Sequence, residues 1–425
     1  MMRAVLADDT MVAGPLADMY ADAAAALNDA EEHERAEAAC RAALDLVPGH
    51  WAALANLGAA LHRQSRYAEA VSTYVAAARA NPGNAAAFSN LGVVLNEMQA
   101  MEMSLQAHDE ALRLAPGNAQ IRANRAMALL MAGDLAQGFA EFEARWELDL
   151  PGMTGTRWQG EPLAGRRLLV WDEGGYGDTL QFIRYLRPLL AAGERVVLRV
   201  QAPLLRLARM SFPGVEIMAS HEETLPDYDL HCPMISLAAV MGTTIASVPR
   251  EVTYLAVDPL QAAHWRESLG RLGAVRKIGL VWAGAPRPGM RQVHAMDRRR
   301  SLRLDMLAPL IEIPGIEWVS LQLGGGGEIE RTGLPILDPM PLMQDFADTA
   351  ALVAGLDLVI SVDTAVAHLA GALGVPVWVL SRFDACWRWL AGREDTPWYP
   401  GMRIFRQERP GEWGKVITQA ASLLT

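Results

Sequence analysis

The chain has 425 residues, 51% of them hydrophobic and 20% charged. That is too long for one core and too apolar for a disordered chain, so two or three folded domains are expected. A formal charge of −11 and a pI near 5.4 argue against a nucleic-acid binder, and no uncharged apolar run reaches membrane-spanning length. The three cysteines, Cys40, Cys232 and Cys386, are scattered and odd in number, which argues against a disulfide framework or a zinc site. The opening MMRAVLADDT lacks a signal-peptide core. A reduced, cytoplasmic setting is therefore expected.

Pro48, Pro82 and Pro116 are 34 residues apart, and each is followed by glycine. Columns align on them: Ala23, Leu57 and Leu91; Ala24, Gly58 and Gly92; Ala36, Ala70 and Ser104; Ala43, Ala77 and Ala111. Small residues at one period mark places where two helices touch, and the proline ends the second helix of each pair. This pattern resembles the tetratricopeptide repeat. Repeats are expected at 17–50, 51–84 and 85–118. A fourth, at 119–150, keeps Leu129, Gly138 and Phe142 but carries Arg125 and Arg145 where small residues are usual. It reads as a terminal repeat that packs on the next domain.

After Pro151 the alanine-rich rhythm stops, and a linker with Gly152, Gly155, Gly160, Pro162 and Gly165 begins. Short β-type runs then alternate with helical stretches. Strands are expected at 167–171, 195–200, 215–218 and 229–232, with helices at 178–190 and 203–210. A connector with one helix spans 252–276. A second series places strands at 278–282, 318–322, 356–362, 375–380 and 403–406. Its helices fall at 304–310, 346–354 and 365–372, with a last one from about Glu412. The fold class expected is a helical-repeat solenoid followed by a pair of Rossmann-like domains, with boundaries 1–150, 151–255 and 256–425. A single large α/β domain is the alternative.

Ligands bind beyond the carboxyl ends of parallel strands, and two such junctions carry suggestive residues. In the first, Gly174, Gly175 and Gly177 precede Asp178, so the backbone can approach a ligand closely and a helix opens with free amides. Neither a dinucleotide GxGxxG nor a P-loop is present there, and Asp178 could simply cap the helix. In the second, a buried strand ends in Asp363, and Thr364 and His368 share a helix face. The Asp363 carboxylate could cap that helix, leaving other amides, the Thr364 hydroxyl and the His368 ring to meet a diphosphate. A capped helix with a satisfied core histidine is the plainer alternative.

From about Trp158 onward the chain resembles bacterial repeat-containing glycosyltransferases whose catalytic part is similar to the heptosyltransferase family. The resemblance rests on GGYGDTLQFIRYL (174–186), DLHCPMISLA (229–238), GLVWAG (279–284), DRRRSL (297–302), VSLQ (319–322), the long segment 345–380 and PWYP (397–400). It implies a GT-B fold and sugar transfer from a nucleotide-sugar donor without a metal or other cofactor. It makes Asp178 the general base, with His231 as the group to test if Asp178 is not. It puts Asp363, Thr364 and His368 at the donor phosphates, Arg298 and Arg300 at the leaving diphosphate, and Trp282, Ser301, Gln322 and Phe346 on the donor side. The repeat arm would hold an acceptor, either a protein, such as flagellin in related enzymes, or a saccharide; the arm favours a protein.

Two departures stand out: relatives often carry lysine after Ser-Leu-Gln, where this chain has Leu323 and then Gly324–Gly327, and the 285–296 loop is long. The competing functions are an inactive repeat scaffold that binds nucleotide and a nicotinamide-dependent enzyme; the missing GxGxxG argues against the latter. The Asp227-Tyr228-Asp229 run has the form of a metal-binding DxD but precedes a strand of the wrong domain.

Overall fold

The computed structural model describes residues 9–148, 153–222, 224–271, 273, 276–284 and 297–424. The chain divides into two compact units, 1–151 and 152–425.

The first unit is a run of antiparallel helix pairs: Asp9–Asp29 with His33–Leu46, Trp51–Arg63 with Tyr67–Ala80, Ala85–Glu97 with Met101–Leu114, and Ala119–Ala132 with Leu135–Phe142. Each second helix of the first three pairs stops at an extended residue, Val47, Asn81 or Ala115, just before its proline. Three residues on, the side chains of His50, Asn84 and Asn118 accept amides of the next helix and so cap it. The small columns are steric. A Cβ on Gly58 would lie 2.8 Å from the Tyr74 ring, and one on Gly92 would lie 2.6 Å from the His108 ring. Asparagines tie consecutive repeats together. Asn56 donates to the Ala21 carbonyl at 2.8 Å, and Asn124 donates to the Ser89 hydroxyl at 3.1 Å.

In the fourth pair the counterpart of Gly58 and Gly92 is the buried Ala126, so the small column continues there. Arg125 occupies the Leu57–Leu91 column instead and pairs with Asp109 and Glu141. Arg145 does replace a small residue. It lies over the Phe142 and Trp146 rings, where its stem covers apolar surface.

The second unit holds two separate parallel sheets rather than one. The strands are β1 (Thr156–Arg157), β2 (Arg167–Trp171), β3 (Arg195–Val200), β4 (Glu216–Ala219), β5 (Leu230–Pro233), β6 (Arg276–Val281), β7 (Ile316–Ser320), β8 (Ile336–Leu337), β9 (Leu358–Val362), β10 (Val377–Ser381) and β11 (Met402–Arg406). The first sheet runs β1-β5-β2-β3-β4 and the second β11-β10-β9-β6-β7-β8, with every pairing parallel. The chain thus folds as a repeat solenoid followed by a GT-B-type pair of Rossmann-like sheets. Strand order reverses between β5 and β2 in one sheet and between β9 and β6 in the other. Crevices open at such reversals, beyond the carboxyl ends of the strands.

Two elements differ from expectation. The single helix expected over 178–190 is broken into Tyr176–Phe182, a 3-10 turn at Ile183–Tyr185, and Leu186–Ala191. Pro188 has no amide to give the Arg184 carbonyl, which weakens the helix where the break falls. The glycine run after β7, for which no element was expected, opens a helix, Gly326–Thr332. Packing overrides propensity there: a Cβ on Gly325 would lie 2.8 Å from the Trp282 ring, and Glu328 accepts both the Trp282 indole N–H at 2.6 Å and the Leu304 amide.

Candidate active site

The glycine loop follows β2, one of the two strands at the reversal of its sheet. Gly174 has φ +75°, a left-handed conformation that only glycine holds without strain, and a Cβ there would collide with Asp178 Oδ2. Gly175 is extended and donates its amide to that same oxygen at 2.7 Å. Asp178 therefore sits in the first turn of the helix and does serve as a cap. Its other oxygen, Oδ1, takes Nη2 of Arg388 from the loop after β10. The side chain remains about one-fifth exposed (21%).

The helix that begins at Tyr176 packs against Ala365–Ala372, the helix after β9. Gly177 permits this, since a Cβ on it would lie 2.9 Å from His368 Cδ2 and 3.6 Å from Ala365 Cα. The two junctions singled out in the sequence therefore pack directly against each other, with Gly177, next to Asp178, lying against His368.

His368 is buried. It stacks on Trp389 at 5.2 Å, and its Nδ1 shares a hydrogen bond with the Tyr399 hydroxyl at 3.0 Å. Burial, followed by the charges of Arg388, Arg184 and Arg300, holds its pKa well below the usual histidine range. The ring is thus neutral at pH 7, in keeping with the plainer expectation of a satisfied buried histidine. Tyr399 continues inward to Tyr254 and to the fully buried Arg184. That guanidinium also donates to the Trp398, Pro249 and Gln181 carbonyls and lies over the Tyr254 and Tyr399 rings.

The Ala365–Ala372 helix is capped differently from expectation. Its N-cap is Thr364, in extended conformation, with no side-chain cap bond. Among the described residues the Asp363 carboxylate takes none of the helix amides. The Thr364 hydroxyl hydrogen-bonds Ser361 at 3.0 Å. Arg300 reaches this junction from after β6, its Nη1 donating to the Asp363 carbonyl at 2.7 Å and its Nη2 pairing with Asp297. Gly284 makes room: a Cβ on it would lie 2.6 Å from both Arg300 Nε and Asp297 Oδ1. Ser301 fixes the same turn, accepting the Gly284 amide and donating to the Asp297 carbonyl.

Other expected site residues serve the scaffold. Arg298 is exposed, and no contact brings it to these junctions; Arg299 turns instead to the buried Asp384, at 3.1 Å. Gln322 spends its carbonyl on the Trp282 and Ala283 amides, holding the loop after β6. Trp282 is buried beneath the glycine run. Leu323, where relatives carry lysine, is 76% exposed. Phe346 meets Tyr176 edge-on at 5.3 Å as an aromatic pair. His231 is buried in β5; its Nδ1 accepts the Trp171 indole N–H at 3.2 Å, and the ring also bonds the Gly155 backbone. Its bonds with Trp171 and Gly155 tie the ring to the scaffold. Asp229 of the DxD-like run accepts the Arg167 amide, and Tyr228 donates to the Thr154 carbonyl. Among the described residues no group of three or more His, Cys, Asp or Glu side chains is placed to hold a metal, and no helix is long and apolar enough to cross a membrane. The 285–296 loop and the boundary around residue 151 lie outside the described residues.

Sequence reasoning missed Arg388. Its guanidinium donates to Gln181 Oε1 at 2.8 Å, to Cys386 Sγ at 3.1 Å and to Asp178, and lies 4.4 Å over the Trp387 ring. The signal that could have found it was its position: an arginine between two tryptophans, on the loop after a parallel strand.

Comparisons with known proteins agree with the residues. Residues 341–380, which contain Asp363, Thr364 and His368, match glycosyltransferase family 9 (heptosyltransferase). Protein FlbA of Caulobacter vibrioides is 30% identical over 329 residues, which is 71% of this chain and 54% of that protein, so the chain spans about half of the relative's length. Among solved structures, an O-GlcNAc transferase mutant of Thermobaculum terrenum is 14% identical, with a TM-score of 0.34, over 88% of this chain and 84% of that one. YrrB, a TPR protein described as having an unusual peptide-binding site, is 28% identical, with a TM-score of 0.27, over 31% of this chain and 67% of its own. The chain joins a tetratricopeptide-repeat arm to an α/β unit similar to glycosyltransferase family 9.

Proposed function

We propose that the α/β unit is a glycosyltransferase that moves a sugar from a nucleotide-sugar donor to an acceptor hydroxyl, and that the acceptor is a protein held by the repeat arm. The observation that carries the reading is the meeting of Asp178, on the first sheet's glycine loop, with the arginine-lined helix start after β9 of the second. Asp178 takes the acceptor's hydroxyl proton as the new C–O bond forms at the anomeric carbon. The bond from that carbon to the diphosphate breaks, and its electron pair leaves on the diphosphate oxygen. Arg300, the Thr364 hydroxyl and the free amides of the Ala365–Ala372 helix are suited to the charge that develops there. On this reading the positive charge comes from the protein, and turnover is indifferent to EDTA.

A second reading, a nucleotide-binding scaffold without turnover, draws on one observation: both Asp178 oxygens are engaged, one with Gly175 and one with Arg388. The full chain is to be tested for stabilisation by UDP-, ADP-, GDP- and CDP-sugars, and then for hydrolysis or transfer of whichever stabilises it. Stabilisation with transfer supports the enzyme, stabilisation without transfer supports the scaffold, and no stabilisation refutes both.

A further inference from the structure

The glycosyltransferase reading leaves two things unexplained: how Asp178 becomes free to act, and what replaces the lysine absent after Gln322. One residue answers both. We propose that Arg388 is exchanged between the Asp178 carboxylate and the donor's diphosphate, so that donor binding releases the base; this rests on the function proposed above.

Arg388 is built in place rather than loosely attached. Its carbonyl accepts the Thr396 hydroxyl at 3.0 Å. Leu390, two residues on, is held at φ 52° and ψ 162°, a region that residues with a Cβ avoid, and its carbonyl is fastened by Arg406 at 2.8 Å. Backbone strain of this kind persists only where surrounding contacts over-determine it. The guanidinium uses Nε on Gln181, one Nη1 hydrogen on Cys386 and one Nη2 hydrogen on Asp178. The Nη2 hydrogen given to Asp178 is the one for which a phosphate oxygen would compete.

The surroundings favour an anion. Arg300 donates to the Asp363 carbonyl at the start of the second helix, Arg388 pairs with Asp178 at the start of the first, and Arg184 lies further in, behind Tyr399 and Tyr254. Among the described residues, three buried donors around them have no partner: Arg300 Nε, Gln181 Nε2 and Trp389 Nε1. Gln181 is bonded to Arg388, and Trp389 stacks on His368. The single carboxylate that Arg388 holds is the one the reaction needs free. A diphosphate carries more charge than a carboxylate and can compete for the same fork. In the empty protein the pair keeps both groups satisfied; with donor bound, Asp178 Oδ1 opens to an acceptor hydroxyl.

The exchange predicts the sign of a coupling that a merely structural salt bridge would not give. Affinity for UDP, ADP, GDP and CDP is to be measured calorimetrically on the full chain, on Asp178→Asn, on Arg388→Ala and on the double variant. Removing the competing carboxylate should tighten the best-binding diphosphate by about tenfold, within the usual range of coupling between sites. Arg388→Ala should weaken it by a similar factor, and the gain from Asp178→Asn should vanish in the Arg388→Ala background. Arg388→Lys, which keeps the charge but not the fork, guards against misfolding and should fall between. Binding by the original chain with unchanged or weaker binding by Asp178→Asn would overturn the exchange alone. No binding of any of the four by the original chain would overturn the glycosyltransferase reading with it.

Discussion

The repeat arm and the α/β unit were built by opposite rules. In the arm every important contact is local and recurs: a glycine against a ring, a cap three residues past each extended stop, an asparagine reaching the previous pair. In the α/β unit the candidate site draws on four distant segments, around residues 178, 300, 363 and 388, each of which follows a parallel strand and is brought near the others by contacts far apart in the chain. A repeated contact stabilises a shape without choosing a chemistry. A converged one can hold charges together that would not otherwise stay close, and that is what a site requires.

If the two regions differ in this way, the largest effect should come from the converged region and leave the fold intact. Asp178→Asn keeps the size of the side chain and an oxygen for the Gly175 amide but cannot take a proton at neutral pH. Turnover should fall by about two to four orders of magnitude, the usual worth of a general base. Stability, read from the melting temperature, should fall as well, by up to about 3 kcal/mol, because the largely buried Arg388 loses its carboxylate partner. Near-normal turnover would remove Asp178 from the mechanism and leave it as a latch to Arg388.

The arm should answer differently. Gly92→Val would drive a side chain into His108, which is fully buried and cannot swing away. Overpacking of this kind costs about 1–3 kcal/mol. Differential scanning calorimetry should show the loss in a transition belonging to the arm, with affinity for a nucleoside diphosphate unchanged. A matching loss of nucleotide affinity would mean that the two units are not energetically separate.

The arm was legible because periodicity needs no knowledge of distant contacts: three prolines at one spacing fixed the pairs, and the structure added only that Ala126 continues the small column. The parallel sheets were legible from apolar runs, and the helix Ala365–Ala372 falls where expected. The site was legible in part. Asp178, His368, Thr364 and Arg300 come together, because residues at carboxyl ends of parallel strands must face the crevices. Gln322, Trp282 and His231 each have a polar atom engaged within the scaffold: in a motif such an atom can be spent on backbone amides or a neighbouring side chain, and sequence does not reveal what it is bonded to. Arg388 was missed because its partner lies 210 positions away.

The smallest expected effect concerns acid, and it again separates the regions. His108 lies buried in the arm with neither ring nitrogen hydrogen-bonded among the described residues. Burial, with the charge of Arg125 adding to it, pushes its pKa down to about 4. A histidine that is harder to protonate when folded favours the unfolded chain in acid, so its penalty is absent above about pH 6.5 and grows as pH falls toward 4. Glu37 acts in the same direction lower down. Burial raises its pKa, but hydrogen bonds from Arg41, Gln64 and Arg66 outweigh that and hold it at about 2, so its contribution is lost as pH falls below the usual glutamate value of 4.5. The arm's melting temperature should therefore decline in two stages, first between pH 6.5 and 4 and then below 4.5. His108→Phe keeps a flat ring against Gly92 and removes the more strongly shifted titrating group, so it should cut most of the first stage, leaving the smaller part due to the partly buried His33, and leave the second. A first stage that persists undiminished in His108→Phe would assign it to another histidine, and the buried, unpaired ring would then have no part in the acid response.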